Sequence, residues 1–212
     1  MIVVFTGPSL AAEKAKAILE ADYRPPVVRG DLDKLPKGTK VVGIIDGVFY
    51  SETAVAHKEI IAAMKKGIKV YGSSSMGALR AAELAEFGMV GVGRVYECYR
   101  SGRIVKDDEV AVTFNPVTGE QMSEPLVNVR YQLKAAEKDG FLTADERHKI
   151  IEMAGRLFYP DRTYAHIFDE AVKADIISRE TAAGLREFVR DKPLNLKAED
   201  AVLMLNEIKE MA

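Results

Sequence analysis

Short apolar segments alternating with helix-length stretches run from the N-terminus to about Phe87, and this alternation constrains the fold more than any other feature. Ile2–Phe5 reads as a buried strand, followed by Thr6-Gly7-Pro8-Ser9, a turn able to start a helix over about Leu10 to Ala21. Pro25-Pro26 breaks that pattern, and Val27-Val28 reads as a short second strand. Val41–Asp46 is the next apolar strand, and Gly47 to Tyr50 leads into a helix from near Ser51 to just before Gly67. Ile68–Tyr71 is another strand and Met76–Phe87 another helix. The pattern predicts an α/β fold with a small, mostly parallel sheet and flanking helices, because parallel neighbours need a crossover between them.

Beyond Phe87 the pattern changes. Gly88 to Pro125 is irregular, with a strand-like run at Glu109–Phe114 and a turn at Pro116-Val117-Thr118-Gly119, which together suggest a small β element. From Leu126 onward the chain reads as helices punctuated by Gly140, Pro160 and Pro193. Thr143 with Glu146 forms a capping-box pair, and Asn195 with Glu199 marks another helix start. The expected organisation is an α/β domain over residues 1–125 and an α-helical C-terminal half over 126–212.

Of the 212 residues, 48% are hydrophobic and 29% charged, a globular composition. No apolar run approaches the roughly 20 residues of a membrane-spanning helix. The 30 basic and 32 acidic side chains are interspersed, and no lysine or arginine block offers a phosphate-backbone footprint. Neither a nucleic acid nor a membrane is an expected partner. A single cysteine, Cys98, forms no internal disulfide, and the chain opens on a strand-like segment rather than a leader pattern. Both fit the cytoplasm.

In a parallel sheet, ligands gather at the carboxyl ends of the strands. Three strand-to-helix turns belong there: Gly7-Pro8-Ser9, Asp46-Gly47-Val48-Phe49, and Gly72 to Gly77. Each supplies free backbone N–H groups and the positive end of a helix. Gly, Pro and Ser also make good turns with no ligand at all, but three such turns on one edge favour a pocket. Ser73-Ser74-Ser75-Met76-Gly77 has the form small-x-Ser-x-Gly, a relaxed nucleophile elbow, which holds a serine hydroxyl on a sharp turn facing substrate. Ser75 takes the nucleophile position, and the Met76 N–H, next to Gly77, would bind the oxyanion. Ser74 stands one register away. The pattern equally admits an anion cradle, with Ser9, Ser73 and the other hydroxyls around a phosphate or carboxylate, or a plain helix cap.

An activated serine needs a base, and His57 and Lys58 are the nearest in sequence. A helical wheel puts His57 in the apolar stripe with Ile60, Ile61 and Met64, where a histidine is usually core. Lys58 lies on the shoulder of that stripe. A desolvated lysine loses its proton more readily and can then activate a serine, although a solvated amine is the commoner state. Asp46 ends an apolar strand with a carboxylate, a common place for an orienting residue and for an ordinary turn. Arg80 and Glu83 are spaced to pair on one helix. Asp107-Asp108-Glu109 is the densest acidic cluster but has no histidine or cysteine nearby, so solvation is expected rather than a metal. Cys98, among Val95, Tyr96 and Tyr99, reads as packing more readily than as a persulfide carrier.

Several strings go further than turn chemistry. Phe5-Thr6-Gly7-Pro8-Ser9, Arg29-Gly30-Asp31, Asp46-Gly47-Val48-Phe49 and His57-Lys58-Glu59-Ile60 come first. Gly72-Ser73-Ser74-Ser75-Met76-Gly77-Ala78-Leu79-Arg80-Ala81-Ala82-Glu83-Leu84, Gly88-Met89-Val90-Gly91-Val92-Gly93 and Asp107-Asp108-Glu109-Val110-Ala111 follow. In this order the chain resembles TfuA-like proteins, closely over its first half, and the serine-rich string is the most specific part. The resemblance implies an accessory role in peptide backbone thioamidation beside a YcaO enzyme, with sulfide released from the C-terminal thiocarboxylate of a ThiS-like carrier protein. The protein substrate it implies in archaeal methanogens is a glycine of methyl-coenzyme M reductase. It also implies a hydrolase-like Ser–Lys pair, mapped here onto Ser75 and Lys58, and no cofactor, metal or nucleotide. A non-catalytic adaptor recruiting carrier and substrate to YcaO is the alternative.

Overall fold

A computed structural model describes residues 1–49, 52–115 and 118–211. Its chain packs as two compact units, one of residues 1–107 with 197–212 and the other of 108–196.

The first unit is built on a five-stranded parallel sheet: β1 (Ile2–Phe5), β2 (Asp22–Arg24), β3 (Val41–Ile44), β4 (Lys69–Ser73) and β5 (Val90–Val92). The spatial order is β2-β1-β3-β4-β5, and every pairing is parallel. Alternation along the strands sorts their side chains to two faces. Val3, Phe5, Val42, Ile44 and Val70 face α2 (His57–Lys65) and α3 (Met76–Leu84), meeting Ile60, Ala63, Met76, Ala81 and Leu84. Val4, Ile45, Tyr71 and Val92 face the other way, against Ala15 of α1 (Ala12–Lys16) and Ala201, Met204, Leu205 and Ile208 of the chain's last helix. That helix runs from Leu196 to Met211. It lies close over β3, where a Cβ on Gly43 would stand 3.1 Å from the Met204 methyl. The last helix therefore covers the sheet rather than joining the helices before it.

Several local expectations change. The second strand is Asp22–Arg24, ahead of Pro25-Pro26, while Val27 makes only an isolated parallel bridge to Gly47. The first helix is five residues long, and α2 begins at His57. The start expected near Ser51 lies outside the described residues, as do Tyr50 and the Pro116-Val117 part of the expected turn. Gly88–Gly93 supplies β5, and α4 (Arg94–Arg100) follows it directly. In place of a strand at Glu109–Phe114 there is a short 3-10 turn at Asp107–Glu109 and one antiparallel bridge, Phe114 to Gln121.

The second unit contains α5 (Leu126–Lys138), α6 (Ala144–Ala154), α7 (Tyr164–Lys173) and α8 (Arg179–Asp191), and α9 is the Leu196–Met211 helix described above. Leu133, Ile150, Ile167, Phe168 and Leu185 form its core. The capping box is present, with Thr143 Oγ1 accepting from the Glu146 N–H at 3.2 Å and Glu146 accepting from the Thr143 N–H at 2.7 Å. Of the acidic string, Asp107 is exposed as expected, but Asp108 and Glu109 are engaged by arginines. Arg162, wholly buried, donates to the Asp108 carbonyl at 3.0 Å and to its carboxylate at 3.1 Å. Arg130 holds buried Glu109 in a two-point pair at 3.0 and 2.7 Å. Both carboxylates anchor the chain as it enters this unit.

Candidate functional site at the carboxyl edge of the sheet

The three turns meet. Asp46, one residue past β3's neighbour Ile45, is buried, and its Oδ2 accepts the N–H groups of Gly7 and Ser9 at 2.9 and 3.1 Å. The Ser9 hydroxyl donates to Oδ1 at 2.6 Å. Asp46 and Ser9 thus lock the turn after β1 to the end of β3. On the other side, a Cβ on Gly47 would come within 2.7 Å of the Met76 side chain, so the β3 turn packs directly on the start of α3.

The serine turn itself is strained. Ser74 has φ 68°, a left-handed conformation that an L-residue with a side chain adopts at a cost. The Ser75 N–H donates back to the Ser73 carbonyl at 2.8 Å, closing a tight three-residue γ-turn around Ser74. Two glycines make this geometry possible. A Cβ on Gly72 would lie 2.1 Å from the Gly77 carbonyl oxygen, and one on Gly77 would lie 1.7 Å from that of Ile44. Strand and helix approach this closely only because neither residue has a side chain.

The three hydroxyls have different fates. Ser73 Oγ donates to the Asp200 carbonyl at 2.8 Å. Ser75 is the N-cap residue of α3, yet its side chain makes no capping hydrogen bond. Ser74 Oγ is fully buried and has no hydrogen-bond partner among the described residues. An orphaned buried hydroxyl costs about 1–3 kcal/mol. Strain and an unsatisfied hydroxyl therefore fall on the same residue. The Met76 N–H meets no acceptor among the described residues, whereas the Gly77 N–H reaches the Ile45 carbonyl at 3.3 Å.

The bases expected from sequence stand apart from this turn. His57 is not core: it is the first residue of α2, exposed, with Nε2 2.8 Å from Glu83 Oε2. The wheel misplaces it because side chains of a first helical turn have no preceding turn to pack against. Arg80 donates to the same Glu83 oxygen at 2.6 Å and to the Val55 carbonyl at 3.2 Å, so its guanidinium ties α3 to the approach to α2. Lys58 is exposed on α2, and no hydrogen bond joins it to the serines among the described residues. Glu59, from the same string, accepts the Gly30 N–H at 2.6 Å and so holds the Arg29-Gly30-Asp31 turn.

Two residues that sequence reading missed lie on α9. Met211 Sδ is 3.3 Å from the Lys69 amine at the start of β4, while the Asp200 carbonyl meets Ser73 at its end. Helix α9 therefore runs antiparallel to β4, with its N-terminus at the carboxyl edge. Asp200 is buried, and its carboxylate accepts the Val95 N–H at 2.7 Å at the start of α4. Burial pushes this carboxyl above the usual carboxylate range, against the opposing pull of the Val95 and Arg94 N–H groups. Lys197 lies one turn earlier, about 4.5 Å further along the axis, and is 1% exposed.

A parallel sheet with a left-handed serine just past β4, and a helix beginning two residues further on, defines an α/β protein with a tight strand–turn–helix junction at the carboxyl edge of its sheet. The family model for TfuA-like protein matches residues 46–163, more than half of the chain, and the chain belongs to that family. Membership supports a role as an accessory protein in the YcaO-associated pathway. A search of curated proteins found no match to the chain. The matched span includes the serine turn, Lys58, Asp108 and Glu109, and stops short of α9.

Proposed function

We propose that this chain is a hydrolase-like sulfur-release protein serving YcaO-dependent backbone thioamidation, with the serine turn as its nucleophilic site. The single observation that carries the reading is Ser74: left-handed, buried, and with a hydroxyl that has no partner among the described residues. In this reading Ser74 Oγ attacks the thiocarboxylate carbon of a ThiS-like carrier while its proton passes to the Lys197 amine. The oxyanion rests on the Met76 N–H, the carbon–sulfur bond breaks, and the lysine proton leaves with the sulfide. Water then hydrolyses the acyl-serine by the same base and returns a carboxylate. A thiocarboxylate and water become a carboxylate and hydrogen sulfide, so no redox partner is needed.

Ser75 with Lys58, onto which the Ser–Lys pair implied by the resemblance is mapped, is the second assignment. Two observations favour it: the uncommitted Met76 N–H directly follows Ser75, and Lys58 lies inside the matched span whereas Lys197 lies beyond it. Sulfide release from a thiocarboxylated carrier, measured for Ser74→Ala, Ser75→Ala, Lys197→Ala and Lys58→Ala, separates the two. Loss in the Ser74 and Lys197 variants alone supports the first assignment, and loss in the Ser75 and Lys58 variants alone the second. If wild type releases no sulfide, hydrolysis is wrong, and the chain acts as an adaptor that brings carrier and substrate to YcaO.

A further inference from the structure

We propose that Asp200 is a positioning residue for the serine turn, acting through Ser73; this rests on the reading of that turn as nucleophilic. Ser73 immediately precedes the strained residue, and its hydroxyl is held by the Asp200 carbonyl at 2.8 Å. The Asp200 carboxylate is in turn held by the Val95 N–H at 2.7 Å, which fixes the first turn of α4. Gly93, at φ 97°, leaves no room to spare, since a Cβ there would lie 2.4 Å from the Asp200 carboxyl carbon. One residue of α9 therefore grips the end of β4 through its backbone and the start of α4 through its side chain. Both β4 and β5 lead into these grips, so a shift of α9 along its axis cannot occur without moving Ser73.

The burial of Asp200 fits such a role. A carboxylate placed only to cap a helix would sit as well at the surface, where its desolvation costs nothing. Here the carboxyl is pushed up by burial and is retained at the cost of that penalty. The residue is not itself aimed at a reacting atom: its carboxylate is engaged by backbone, and its carbonyl is what touches the serine string.

The experiment follows the rate at which a fluorophosphonate probe labels the serine turn, which needs an activated serine but no carrier protein. Wild type, Ser73→Ala, Asp200→Ala and Asp200→Asn are compared, with urea unfolding of each. Ser73→Ala removes the grip with almost no change in shape and should slow labelling about 10- to 100-fold, the usual penalty for a displaced reacting group. Asp200→Ala should slow it similarly, and Asp200→Asn, which keeps an acceptor for the Val95 N–H, should restore it to within about threefold. The labelling rate constant should fall while the final labelled fraction stays complete, since a merely structural defect lowers the fraction and leaves the rate of the folded molecules alone. Labelling of Ser73→Ala at the wild-type rate overturns the positioning role while leaving the nucleophile in place. A wild type that labels no faster than the Ser74→Ala, Ser75→Ala double variant overturns both.

Discussion

Replacing Ser74 by glycine should make the protein more stable and leave it inactive. The backbone at this position has φ 68°, which costs a residue with a Cβ about 1–2 kcal/mol and costs glycine nothing. The substitution also removes a buried hydroxyl without a partner, worth about 1–3 kcal/mol. Against these gains stands the greater freedom of glycine in the unfolded chain, about 0.5–1 kcal/mol. The net gain is about 1–4 kcal/mol, which at this size corresponds to a rise in Tm of several degrees. Urea unfolding at pH 7, followed by circular dichroism, reads the change as a higher midpoint at constant slope. Ser74→Ala keeps the strain and loses the hydroxyl, so it should fall between wild type and the glycine variant. A glycine variant that unfolds at lower urea than wild type would refute the argument from strain and orphaned polarity. One that gains stability but keeps full sulfide release would move the nucleophile to Ser75.

Other perturbations test other parts of the molecule. Gly77→Ala forces a Cβ to 1.7 Å from the Ile44 carbonyl oxygen, so β3 and α3 must part; a loss of about 3 kcal/mol or more is expected by urea titration, at the upper end of overpacking effects. Arg162→Ala leaves the Asp108 carboxylate and three carbonyls without their buried donor and should cost the helical unit about 3–5 kcal/mol, read as early loss of helix on heating. Asp200 binds its proton more tightly folded than unfolded, so its contribution to stability falls as pH rises from about 3.8 through its raised folded value; Asp200→Asn should flatten unfolding free energy against pH in that window. Tyr23 donates to the Ala15 and Leu19 carbonyls, and its phenol is pushed up to about 12 by burial. Stability should therefore drop between pH 10 and about 12, and Tyr23→Phe should remove that part of the drop.

The parallel sheet was legible because short apolar strands and amphipathic helices leave different periods in the sequence. The serine turn was legible as a sharp strand-to-helix turn, but not which serine sits at its apex, for a physical reason. Gly72 stands two residues before Ser74, and Gly77 two residues after Ser75, so each serine satisfies half of the strict Gly-x-Ser-x-Gly pattern. Only the backbone, with the left-handed conformation at Ser74, distinguishes them. β5 and α4 escaped because Val90–Val92 is three residues long and flanked by glycines, too short to show a period. The Asp108 and Glu109 ion pairs escaped because Arg162 and Arg130 lie far along the chain, and sequence spacing carries no record of such partners. A signal for Lys197 did exist: it falls on the same helical stripe as Ala201, Met204, Leu205 and Ile208. A lysine heading an apolar stripe is worth tracing. What that stripe packs against was not readable, because nothing local says that the last helix returns to the sheet.

That return has a consequence for how the protein comes into being. The sheet and the serine turn leave the ribosome first, and Asp108–Leu196 must be made before the helix that grips Ser73 can follow. At about 5–20 residues per second, that interval is several seconds. During it the nascent chain carries the serine string without the grip of Asp200. The order of translation therefore puts the contact between Ser73 and Asp200 among the last of this unit to form, after the strand that carries the serine has long been made.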